Sequence, residues 1–219
     1  MRLTYRGHKA IQICSGKITV LAVANPALYS RIVKSFNENN DELILIDDDF
    51  RIVDVSKHIE WCGDIISNGR LKTGDAKLLK YLEKNITNDI RMKINDTAEE
   101  LFNLIQNNLD AYNISLKANY DGNINRLLKY CRIGYKSNIS PFEIVINELN
   151  LCLMYNTNVC LGFNNLGHYL MTDHISKMAE FVAKNNMQVL LIEFSEKSNR
   201  RYYPNCEFYS IDRDYVEWY

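Results

Sequence analysis

Ile18-Thr-Val-Leu-Ala-Val-Ala24-Asn-Pro-Ala-Leu-Tyr-Ser30 is the stretch whose reading decides the fold. From Ile18 to Ala24 every residue but Thr19 is apolar, as a strand covered on both faces requires. Asn25-Pro26 breaks the run, and Leu28, Ile32, Val33 and Phe36 then recur at helical spacing. A buried strand passing directly into a helix is the first unit of an α/β fold. In such folds the intervening turn is where a glycine loop would hold phosphate against the helix N-terminus. Here the turn has no glycine and no Lys-Ser/Thr pair, and Pro26 removes a backbone donor. Ser15-Gly16-Lys17 precedes the strand and lies on the wrong side of it. The stretch predicts the architecture without phosphate-loop chemistry.

The α/β pattern extends in both directions. Leu3 to Arg6 and Ile11 to Ile13 flank Gly7 as an opening hairpin. Glu42 to Asp47 reads as a second buried strand and Phe50 to Val55 as a third, while Ile59 to Ile66 predicts a short helix. Near Gly69 the character changes. Asp75 caps a helix with the stripe Leu78, Leu79, Leu82 and Ile86. Asp96-Thr-Ala-Glu99 opens a second helix, with Leu101, Leu104, Ile105, Leu109 and Tyr112 on one side, and a third carries Ile124, Leu127, Leu128 and Cys131. These stripes are expected to bury one another in a separate helical lobe. Ser140-Pro-Phe-Glu143 then starts a helix reaching about Met154. Val159 to Phe163, a helix from Thr172, and Met187 to Glu193 resume the strand–helix–strand rhythm, with Cys206 to Ser210 as an edge strand.

The 219 residues are 47% apolar and 24% charged, ordinary for a globular protein, with net charge −1. No apolar run approaches the roughly 20 residues that span a bilayer, and Met1-Arg-Leu-Thr carries no signal-peptide core. Six scattered cysteines form no C-x-x-C pair and read as reduced thiols, which places the expected protein in the cytoplasm. The charge is regional. Arg126, Lys129, Arg132 and Lys136 form a basic stripe with no acid among them; if helical, they line one side and suit a row of phosphates, although a solvated face is the plainer reading. Arg70, Lys72, Lys77, Lys80 and Lys84 are a second basic group.

Other clusters admit chemistry. Asp47-Asp48-Asp49 follows a strand, as magnesium-binding carboxylates do, and a metal-dependent nuclease or nucleotide-using enzyme could be centred there. A solvated turn is the plainer reading, and Glu193, at the end of the 187–193 strand, is a possible but thin partner carboxylate. His168, Asp173, His174 and Cys160 lack the sharp turn and oxyanion donors of a nucleophile site. Asn119, Asp121 and Asn123 place oxygens at alternate positions around Gly122, which suits calcium, although an Asn-rich helix-start loop would look the same.

Three pairs of segments and one strand carry a resemblance. They are Ile18-Thr-Val-Leu-Ala-Val23 with Tyr29-Ser-Arg-Ile-Val-Lys-Ser-Phe36, Leu43-Ile-Leu-Ile-Asp47 with Phe50-Arg-Ile-Val-Asp54, Pro141-Phe-Glu-Ile144 with Val159 to Leu170, and the strand Met187 to Glu193. In order and spacing they resemble the small fourth adaptation protein of type II-A CRISPR–Cas systems, over about residues 17 to 215. The resemblance implies a discontinuous α/β head at 1–70 and 137–219, related to P-loop kinases but with a degenerate phosphate loop. It implies an inserted all-α helical leg at 71–136. It further implies a non-enzymatic homotetrameric ring that holds the ends of linear double-stranded DNA during spacer acquisition, with structural calcium. The integrase complex and large effector nuclease of the same system are the candidate protein partners, and no membrane is involved. Tyr120-Asp121 matches the hinge segment, but Gly122 stands where an acidic residue would strengthen a calcium site, and Tyr155-Asn-Thr-Asn158 replaces a lysine pair.

Overall fold

The computed structural model describes the chain except residues 6, 39, 41, 68–74, 113–114, 137, 156–157 and 219. Two compact units divide it: Met1–Arg70 with Asn138–Tyr219, and Leu71–Ser137.

The first unit is built on two sheets. Strands β1 (Arg2–Tyr5), β2 (Ile11–Gln12), β4 (Leu43–Ile46) and β5 (Ile52–Val53) form an antiparallel sheet in the order β2-β1-β4-β5. The larger sheet runs β10-β9-β3-β8-β7-β6, from β3 (Lys17–Val23), β6 (Ile59–Gly63), β7 (Cys160–Asn164), β8 (Gln188–Phe194), β9 (Glu207–Ile211) and β10 (Glu217–Trp218). Its five strands from β9 to β6 are parallel, and β10 pairs antiparallel with β9. The period of two along each strand sorts the core into two layers. Ile18, Val20, Leu161, Phe163, Val189 and Leu191 pack with α6 (Pro141–Met154) and α7 (Thr172–Lys184). Leu21, Val23, Leu190 and Ile192 face α1 (Pro26–Glu38) and the smaller sheet. The burial of residues 18–23 of β3 and 189–193 of β8 is why these stretches do not alternate.

Local signals explain several boundaries. Ser140 and Glu143 close a capping box on α6, with Pro141 at its first position. Two expectations need correction. Ile59 to Ile66 is not a helix: Asp54 caps the short α2 (Val55–His58), and Ile59 then enters β6 and pairs with β7. Five residues with apolar bias read alike for either element, and the partner strand decides. Cys206 to Ser210 does not lie at an edge either, because β9 is covered by β10.

The second unit holds α3 (Ala76–Asn85), α4 (Asn88–Asp110) and α5 (Ile124–Tyr130). Asp75 caps α3 through Leu78 N at 2.8 Å. Helix α4 begins at Thr87 rather than at Asp96, whose box is overrun because a cap and helical spacing already exist upstream. Glu83 joins the helices: its carboxylate accepts from Asn125 Nδ2 at 2.8 Å and its carbonyl from Arg91 at 2.6 Å. Gln106 clamps the extended segment after α4, donating to Leu116 O at 3.1 Å and accepting from Ala118 N at 2.7 Å. The expected mutual burial of the stripes is only partial. Leu78, Leu79 and Ile124 are buried, but Leu101, Leu104 and Ile105 are 52%, 67% and 43% exposed.

Candidate nucleic-acid interface

The carboxyl ends of the parallel strands, where α/β folds place ligands, are filled by the chain's own side chains. Asn25 Oδ1 accepts from Ala27 N at 3.0 Å and Leu28 N at 3.1 Å, so it takes the amides that open α1. Asn164, ending β7, donates to Tyr29 Oη at 3.1 Å, and the Tyr29 and Phe194 rings lie 5.4 Å apart. Pro26 has no amide to offer. A phosphate finds no free donor at this helix start.

The Asp47–Asp49 turn is likewise internally satisfied. Asp47 accepts from the amides of Asp49 and Arg51 and from Arg51 Nε, while Arg51 also bridges to Asp49 at 2.6 Å. The Arg51 amide and guanidinium hold the Asp47 carboxyl below its ordinary value. Asp48 pairs with the amino terminus at 2.9 Å. Cys160 is fully buried and its thiol is pushed above the usual range by desolvation. His174 stacks on Phe142 at 4.6 Å, and Asp173 pairs with Lys177 at 3.4 Å. Among the described residues no three His, Cys, Asp or Glu side chains converge on a possible metal position.

The cations are distributed differently. Leu71–Ser137 contains eleven Lys and Arg against eight Asp and Glu, a net charge of +3, while the rest of the chain carries −4. Lys77, Lys80 and Lys84 are exposed and share one face of α3 at spacings of three and four. Arg126 and Lys129 are exposed on α5, which ends at Tyr130. Arg132 follows at φ +48, a left-handed position, so it and Lys136 leave the helical stripe that their spacing predicts. The four remain exposed. Lys80, Lys84, Lys129, Arg132 and Lys136 pair with no acid among the described residues. Arg70 and Lys72 lie outside the described residues.

Two of the residues expected to hold calcium are engaged within the chain. Asp121 is ion-paired with Arg126, and its other oxygen accepts from Asn123 N at 3.1 Å. Asn123 spends its side-chain oxygen on Arg126 N at 3.1 Å as the cap of α5. Asn119 lines a groove along α4 beside Phe102, Gln106 and Tyr120.

Comparison with known families settles the lineage. The model of the CRISPR-associated protein family Cas_Csn2 matches residues 36–215. The chain belongs to the Csn2 family. Its role is therefore CRISPR-associated. Solved structures agree on the fold. Stu0660 of Streptococcus thermophilus is 13% identical with a TM-score of 0.55, covering 100% of this chain and 76% of that one. The ADP conformation of MJ1267, an ATP-binding cassette of an ABC transporter, is 10% identical with a TM-score of 0.50, covering 97% and 87%. The α/β fold is thus similar to that of Stu0660 and of an ATP-binding cassette, with the amides that open α1 in this chain taken by Asn25. No curated protein matches the chain. No helix among the described residues is long and apolar enough to cross a membrane.

One carboxylate of this Csn2 family member, read from the sequence only as a possible partner of the Asp47–Asp49 turn, has surroundings of its own. Glu193 is the penultimate residue of β8, is 1% exposed, and accepts from Gly167 N at 3.2 and 3.3 Å. Desolvation pushes its carboxyl up to about 7, against hydrogen bonds from Gly167, Tyr203 and Leu166 that favour the charged form. Its position at a strand end was the one available signal.

Proposed function

We propose that this chain holds the ends of linear double-stranded DNA without covalent chemistry, as a homotetrameric ring supporting CRISPR spacer acquisition. The observation that carries this reading is the exposed, unpaired set Lys80, Lys84, Lys129, Arg132 and Lys136, on a +3 unit of a chain that is otherwise net acidic. Such cations neutralise phosphates and release counterions, which gives affinity indifferent to sequence. Lys77, on the α3 face of Lys80 and Lys84, and Arg126, one turn before Lys129 on α5, are further exposed cations of the unit. Self-association is supported by the α4 stripe of Leu101, Leu104 and Ile105, large apolar side chains left in water on one helix face. A non-enzymatic role is supported by Asn25, which takes the amides at the helix start, and by Arg51, which takes the carboxylates of the aspartate turn. Calcium at Asp121 would have to displace Arg126 and draw Asn123 from the Arg126 amide, so we treat it as a structural ion bound only with local rearrangement. The cytoplasmic integrase complex and effector nuclease of the same system are the protein partners this reading requires.

A gel-shift titration of linear against closed-circular duplex, across salt concentrations, tests it. Retention of linear DNA only, with affinity falling steeply as salt rises, is the expected result. Equal retention of both forms, or salt-independent binding, overturns the threading model.

A further inference from the structure

Glu193 presents a charge problem that nothing in the DNA reading uses. The carboxylate lies on the β8 face shared with Val189 and Leu191 and is 1% exposed. Its hydrogen-bond donors are the amides of Gly167 and Leu166 and the hydroxyl of Tyr203, all neutral. Among the described residues no Lys or Arg forms an ion pair with it. A buried carboxylate ordinarily has a basic counter-charge or a proton. The site is nevertheless built closely around it: a Cβ at Gly167 would stand 2.3 Å from Tyr203 Oη and 3.3 Å from Glu193 Oε2.

A crevice of about 170 Å³ opens beside this carboxylate, walled by His168, Phe194, Ser195, Asn199 and Tyr202. Phe194 and Tyr202 keep 43% and 45% of their surfaces in water. Aromatic faces around a carboxylate recognise organic cations, because ring quadrupole and anion both attract positive charge. The rim already holds one: Arg201 lies 5.0 Å over the Tyr202 ring and donates to its hydroxyl at 3.1 Å. The volume is smaller than the roughly 300 Å³ at which sites for drug-sized ligands begin, and suits a single side-chain-sized group.

We propose that this crevice is a receptor for a side-chain-sized organic cation, an alkylammonium or guanidinium group, which supplies the counter-charge of Glu193. The occupant enters between Phe194 and Tyr202 and sets its charge against the carboxylate. Binding therefore competes with the proton on Glu193 and strengthens from about pH 6 to about pH 8. The other titratable groups facing Glu193 are Tyr203, with Cys206 behind it, His168 across the crevice, and Tyr29 of α1, with Asp64 beyond it. Burial raises the Tyr203 and Cys206 groups, so both stay neutral over that range.

The test follows the Glu193 carboxyl carbon by NMR in the full chain labelled at glutamate. Butylammonium and methylguanidinium are the probes, and butanol and potassium chloride at matched ionic strength are the controls. The titration midpoint of Glu193 should fall by about one pH unit for each tenfold excess of bound over free site with either cation, and stay fixed with the controls. Glu193→Gln keeps an acceptor for Gly167 N but removes the charge, and should weaken butylammonium binding at least tenfold at pH 8. Tyr202→Ala, at a half-exposed ring, should weaken it several-fold with an unchanged melting temperature. Parallel arms with spermidine and with acetyl-lysine methylamide separate a free polyamine from a protein side chain as the source; binding of either supports the site. An unmoved Glu193 midpoint with both probe cations, or equal binding by Glu193→Gln, overturns it.

Discussion

The Arg126 guanidinium is ion-paired with the Asp121 carboxylate, so a residue suited to phosphate and a residue suited to calcium neutralise each other. Both are exposed, and Asp121 also orders the α5 start through Asn123 N. Asp121→Asn keeps that amide contact and releases the cation. The variant should bind linear duplex several-fold more tightly at low salt, and its plot of log affinity against log salt should steepen by about 0.9. An unchanged slope would remove Arg126 from the DNA path.

The apolar side of α4 gives a second expectation. Leu104 is 67% exposed, so a charge there costs the fold little, within about 0.5 kcal/mol. In an assembly that buries the stripe the same charge is repulsive across every copy. Leu104→Glu should therefore keep the melting temperature while light scattering reports a smaller species. Unaltered mass would show that the stripe plays no part in association.

The layered head was legible because its signals are local. Ile18 to Ala24 is a fully apolar run, and Ser140 with Glu143 writes a capping box whose two bonds the structure makes. The start of α4 was misplaced because Asp96-Thr-Ala-Glu99 carries the same letters as a cap while Thr87 supplies one earlier. Ile59 to Gly63 was misread because its strand identity comes from β7, about a hundred residues away. The cation stripe was legible in composition but not in shape, since the left-handed turn at Arg132 is set by the helix end and not by charge spacing. The Glu193 cluster was illegible for a plainer reason: Gly167, Glu193 and Tyr203 meet only after two strands and a turn are in register.

Gly167 tests how tightly that cluster is closed. A methyl there would press on the Tyr203 hydroxyl, which is itself held by Glu193. Gly167→Ala should lose about 1–3 kcal/mol of stability in urea denaturation. Adding Tyr203→Phe removes the hydroxyl and should return part of that loss. A double variant less stable than the single one would place the clash elsewhere.

Glu193 itself makes stability depend on pH in a defined sense. Its folded value, about 7, lies above its ordinary 4.5, so the native state holds this proton more tightly than the unfolded chain. The contribution is complete below about pH 4.5 and is lost as pH rises through about 7. Glu193→Gln stays neutral throughout, so the variant should gain on the wild type with rising pH. The difference between their unfolding free energies should shift by on the order of 2–3 kcal/mol from about pH 5 to about pH 8. Urea denaturation in amine-free buffers measures it, because an organic cation in the crevice would supply the missing charge and flatten the wild-type curve. A difference that stays constant across the range would mean that the carboxyl is ionised at little cost, and that neutral donors alone are enough to hold its charge.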